Sequence, residues 1–77
     1  MKNHIKSLRA KNDLSQQKLA ELLGVSRQTI HMIELGKYNA SLDLAFKLAN
    51  LFNEKIENIF IREEPTVFYS HHTRSYR

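Results

Sequence analysis

The feature that most constrains this chain is its punctuation. Ser15, Gly24, Ser26, Gly36 and Ser41 stand at intervals that leave room only for short helices between them. A serine hydroxyl accepts hydrogen bonds from the free amides of a first helical turn. A glycine takes the left-handed conformation that stops a helix. This spacing predicts a second helix after Ser15 that buries Leu19, Ala20, Leu22 and Leu23 and stops at Gly24. A third begins after Ser26 and ends at Gly36, and a fourth, capped by Ser41, runs to about residue 53. Before them, Ile5 and Leu8 at helical spacing predict a first helix over about 2–11, broken by Asn12 and Asp13. After them, a short fifth helix over about 56–60 turns Ile56, Ile59 and Phe60 inward.

Seventy-seven residues without a cysteine allow one small helical unit held by packing or by a second copy, with no disulfide. They exclude a multidomain enzyme. No glycine-rich phosphate loop, nucleophile elbow or metal triad is present, so we expect no enzymatic activity, no cofactor and no metal. The adjacent His71 and His72 make a poor chelate, because neighbouring side chains in a strand point to opposite faces. No apolar run approaches the ~20 residues of a membrane span, and no apolar stretch follows Met1, so the expected location is cytoplasmic.

The third helix divides cleanly when plotted at ~100° per residue. Thr29, Ile30, Ile33 and Glu34 share one side, with the core residues among them and Glu34 at the edge; Arg27, Gln28, His31, Met32 and Leu35 share the other. The outward set is polar without being charge-rich. A DNA major groove ~12 Å wide admits one helix, and its base edges are read by such side chains. Arg27 and Gln28 lie in the N-terminal turn, where a recognition helix meets bases. Arg27 suits guanine and Gln28 adenine. His31, one turn on, suits a base acceptor or a phosphate, and Met32 a thymine methyl.

The link Gly24-Val25-Ser26 is too short for antiparallel packing, so the second and third helices must cross steeply. Ala20 supplies the small residue at the crossing, Gly24 the corner, and Val25, Ile30 and Ile33 plug the angle. The same elements serve a plain αα corner, and residues alone leave that alternative open.

The stretch LSQQKLAELLGVSRQTIHMIELGKYNASLDLAFKLANLF, with its flanks from about residue 3 to 61, resembles the DNA-binding domain of phage Cro and repressor proteins and the Xre-type bacterial regulators. The resemblance implies an all-α, five-helix, lambda-repressor-like domain over residues 1–64 that contains a helix-turn-helix. Residues 65–77 form a C-terminal tail with no counterpart in that pattern, able to add a short β-arm. It also implies that Gln16 touches backbone phosphate and braces the recognition helix, and that Lys37, Tyr38 and Asn39 sit in a phosphate-holding loop. Ser26 and, more weakly, Lys11 join this backbone-contacting group. Arg9 and Glu34 match a partly buried ion pair between helices one and three.

Charge is distributed unevenly along the chain. Of the net +4, residues 1–40 carry seven bases against three acids, residues 41–64 three against five, and the tail two bases. The basic half thus coincides with the proposed reading head. The fourth helix is polar only at Asp43, Lys47 and Asn50, so it needs cover on more than one side. We therefore expect a sequence-specific double-stranded DNA-binding regulator, a repressor acting as a homodimer on a pseudo-palindromic operator. An antitoxin that binds its toxin through the tail or helix four while autoregulating its operon is the alternative, as is a protein-interaction adaptor on the same fold. In the tail, Phe68 and Tyr69 could pair as a β-arm with a twin or cover the Leu42/Phe46 surface.

Overall fold

The computed structural model describes residues 1–62. Its elements are β1 (Lys2–Asn3), α1 (Ile5–Lys11), α2 (Gln16–Leu23), α3 (Arg27–Glu34), α4 (Leu42–Phe52), α5 (Ile56–Ile59) and β2 (Phe60–Ile61). Each expected serine cap is made. Ser15 Oγ accepts the Lys18 amide at 3.0 Å, Ser26 Oγ that of Thr29 at 3.1 Å, and Ser41 Oγ that of Leu44 at 3.1 Å. Gly24 (φ +75°) and Gly36 (φ +77°) both take the left-handed region. At Gly36 a side chain would also meet the Met1 carbonyl oxygen, 3.3 Å from where a Cβ would stand.

The core is one cluster in which Ile5, Leu19, Ile30, Ile33, Leu48 and Ile59 are sealed from solvent. Ala20 is fully buried, which lets α2 and α3 approach closely, and Val25 packs half-buried against the same cluster. Every described helix thus contributes at least one residue to a single apolar centre, and no buried side-chain nitrogen or oxygen among the described residues lacks a partner.

Three expectations about elements are corrected. Residues 2–3 are not helical: they pair antiparallel with 60–61, Lys2 against Ile61 and Asn3 against Phe60. The cause is Asn3, whose Oδ1 accepts the Ile5 amide (3.2 Å) and whose Nδ2 donates to the Ile33 carbonyl (2.8 Å), while the His4 amide bonds to Ile59 O (2.8 Å). These bonds hold the chain extended up to His4, so α1 begins only at Ile5. For the same reason Phe60 leaves the fifth helix for the ribbon, half-buried rather than helical. Leu22, expected in the core, is 51% exposed. It lies about 100° around α2 from the centre of the buried Leu19, Ala20 and Leu23 face.

The fourth helix buries Leu44, Ala45 and Leu48 and leaves Leu42 (71%) and Phe46 (54%) exposed. Asn53, in the left-handed region at φ 54°, ends it. The β-structure that is present joins the start of the chain to the end of the helical body. The proposed arm at Phe68 and Tyr69, the His71-His72 pair and the tail contacts all lie outside the described residues.

Candidate nucleic-acid interface

Helices α2 and α3 meet across a three-residue corner. The Val25 amide reaches back to Ala20 O (3.0 Å) and the Gly24 amide to Glu21 O (3.3 Å), closing the end of α2 over the left-handed glycine. Ser26 then starts α3 at once, with its hydroxyl also 2.9 Å from Thr29 Oγ1. A helix begun this way presents its first turn, Arg27 and Gln28, to solvent; both are exposed. His31 and Met32, the next turn of the same face, are half-buried. All four expected base readers therefore share the outer side of α3, with the polar tips at its start.

A hydrogen-bonded network fixes this face from behind. Arg9 on α1 grips Glu34 in a fork: Nε donates to Oε2 (2.6 Å) and Nη2 to Oε1 (3.0 Å). The side chains are only 14% and 7% exposed. The remaining Arg9 nitrogen, Nη1, donates to Leu14 O (3.0 Å), tying the α1–α2 turn to the same ion pair. Hydrogen bonding to Glu34 raises the Arg9 pKa above its ordinary value, against burial. Burial pushes the Glu34 carboxyl up, but hydrogen bonds from Arg9 and Gln16 outweigh it and hold the group below its usual value.

Gln16 joins this pair to the outer face of α3. Its Nε2 donates to Glu34 Oε1 (3.0 Å) and lies 3.3 Å from His31 Nδ1, while its Oε1 accepts from Arg27 Nη1 (3.4 Å). The carboxylate settles the amide's orientation, since reversing it would set oxygen against oxygen. With the NH₂ group facing His31, Nδ1 of that ring is the acceptor and Nε2 carries the proton. One glutamine therefore orients both the arginine and the histidine of α3, through the ion pair that locks α3 to α1.

The loop after α3 carries the three residues expected to meet phosphate. Lys37, Tyr38 and Asn39 are all exposed. The Lys37 amide is spent on Met32 O (3.0 Å) and the Gly36 amide on Ile33 O (2.9 Å), so Lys37 offers only its side chain. Lys11 is exposed at the last turn of α1. Ser26 uses its hydroxyl within the protein as the cap of α3. Asn3 was missed as a contributor: by holding Ile33 O it anchors the C-terminal end of α3. Its only signal was an amide side chain two residues ahead of Ile5, which does not identify a partner 30 residues away.

Among the described residues no group of three His, Cys, Asp or Glu could hold a metal, and no helix is long and apolar enough to cross a membrane.

The family described as Helix-turn-helix matches residues 5–59. An HTH-type transcriptional regulator of Methanocaldococcus jannaschii is 59% identical over 64 residues, covering 83% of this chain and 97% of that one. Another, from Archaeoglobus fulgidus, is 53% identical over 64 residues, 83% of this chain and 90% of that protein. The regulator YgzD of Bacillus subtilis is 50% identical, with 83% and 97% covered. Among solved structures, the restriction-modification controller protein C.AhdI from Aeromonas hydrophila superposes with a TM-score of 0.64 at 34% identity, over 71% of this chain and 83% of that one.

Proposed function

The chain belongs to the Xre/Cro-like helix-turn-helix family of DNA-binding transcriptional regulators, and on that basis we propose a sequence-specific repressor that acts as a homodimer on a pseudo-palindromic operator. The observation that carries this reading is the outer face of α3, polar, braced from behind and started by Arg27 and Gln28. Arg27 forks onto guanine O6 and N7, Gln28 onto adenine N6 and N7, and His31 donates from Nε2 to a base acceptor or phosphate. Met32 lines the groove beside a thymine methyl. The side chains of Gln16, Lys37, Tyr38 and Asn39, with Ser26 and Lys11 at the margins, meet the sugar-phosphate backbone and set the register.

A single module of this size makes too few phosphate contacts for tight binding at physiological salt, and a two-fold pair doubles them. The exposed Phe46 of α4 suits that pairing, with the two α3 helices ~34 Å apart, one duplex turn. Repression follows from occupying a promoter. Residues 1–64 form the DNA-binding unit, and 65–77 a tail outside it.

Selecting bound sites from a random DNA pool tests the proposal. The expected product is two inverted half-sites one helical turn apart, with Arg27→Ala relaxing the preference at one base pair in each half. A pool that stays random, or a preference that ignores Arg27→Ala and Gln28→Ala together, would overturn it.

A further inference from the structure

The loop after α3, through Asn39 and Ala40, lines an open apolar groove of about 440 Å³ together with α4, α5 and the ribbon. Its apolar lining includes Leu42, Ala45, Ile56 and Phe60, and its polar lining Asn39, Glu57 and Arg62. Leu42, on its edge, is the most exposed large apolar side chain among the described residues. An engineered cavity of about 150 Å³ holds one benzene ring, so this groove has room for two side chains of aromatic or β-branched size.

We propose that the groove is the docking site of this chain's own residues 66–69, Thr-Val-Phe-Tyr. The placement rests on where the described chain ends. Arg62, the last described residue, is one of the groove's lining residues, so the described chain ends beside it. Three residues span at most about 10 Å. Pro65 disfavours helix at Glu64 and removes a backbone donor, which suits a change of direction before the apolar run. The run is also the one stretch of the last fifteen residues with consecutive apolar side chains; the residues after it are mostly polar and basic. A segment tethered this close to its site has an effective concentration in the millimolar range, which a second copy free in solution does not reach. The tail therefore takes the groove, and Phe46, which does not line it, is left for the second copy.

The absence of cysteine allows a direct test in the full chain. Leu42→Cys places one thiol on the groove edge, and Val67→Cys a second in the segment while keeping Phe68 and Tyr69. Under mild oxidation this pair should cross-link within one chain at least tenfold faster than Gln17→Cys with Val67→Cys, because Gln17 is exposed on α2 outside the groove. Adding Phe68→Ser should bring the rate down to that of the control. Equal rates for both pairs, or insensitivity to Phe68→Ser, would overturn the docking. Cross-linked dimers in place of single chains would overturn the choice of the chain's own tail. Helical circular dichroism of each variant distinguishes a lost contact from a lost fold, and Thr66→Cys with Ile56→Cys replaces any pair that does not fold. None of these readouts depends on DNA binding.

Discussion

Helices α3 and α4 each show solvent a face that a solitary globule has no need of, and the two faces are opposites. That of α3 is polar, and its side chains are held by partners: Arg27 and His31 by Gln16, Gln16 by Glu34, Glu34 by Arg9. That of α4 is apolar at Leu42 and Phe46, with a single exposed ion pair, Asp43 to Lys47 at 3.4 Å, on its flank. The difference shows how each surface gains specificity. Base edges are told apart by the direction of hydrogen bonds, so side chains that read them benefit from being oriented in advance. An apolar partner is recognised by area and shape, which needs no such network. Each helix buries three or fewer side chains outright, so the outward faces are free to differ without disturbing the core.

The largest effect is expected from removing the brace behind α3. Glu34→Ala leaves the Arg9 guanidinium largely buried without its carboxylate, and should cost about 3 kcal/mol of stability in denaturant unfolding. Its pH dependence is distinctive. The folded Glu34 pKa lies below the ordinary 4.5, so its contribution is complete above that value and is lost as pH falls through the lower folded pKa. Glu34→Gln should remove that part of the acid-side slope; an unchanged slope would mean that Glu34 is not the group responsible.

Next comes the reading face itself. Arg27→Ala should weaken binding at the preferred site by about 1–3 kcal/mol and flatten discrimination at one base pair, with thermal stability nearly unchanged. Competition titrations over single-base operator variants would show it. On α4 the pattern should reverse. Phe46→Ser should shift the monomer–dimer equilibrium by about 1 kcal/mol for each copy, roughly 30-fold overall, seen by sedimentation, while each monomer keeps its fold because Phe46 is already half exposed. The smallest effect belongs to Lys37→Ala. It should weaken all DNA sequences alike and reduce the salt dependence by about one counterion. Identical behaviour of the Arg27 and Lys37 variants across operators would erase the distinction between reader and positioner.

Much of this architecture is legible residue by residue. Ser15, Ser26 and Ser41 cap the helices they precede, and Gly24 and Gly36 turn the corners they follow, because those interactions lie within a few residues of one another. The split faces of α3 follow from helical periodicity alone. The Arg9–Glu34 bond, which the family resemblance implies, is present at 2.6 Å, and helical periodicity by itself sets Glu34 at the edge of the buried face. Less legible was the precise neighbourhood of Gln16. The resemblance marks it as a brace, but its simultaneous hold on Glu34, His31 and Arg27 needs three α3 positions to converge on one amide.

Local sequence thus settles the set of helices, their caps and corners, and the polar outer face of α3. These depend on bonds between near neighbours and on a 3.6-residue period. Three features needed the folded chain: that residues 2–3 pair with 60–61 instead of extending α1, that Leu22 lies beyond the packed face, and that an apolar groove opens beside Leu42. Each turns on elements distant along the chain, as when Asn3 reaches Ile33 and Lys2 reaches Ile61, and no local pattern records which distant group will be close enough to bond.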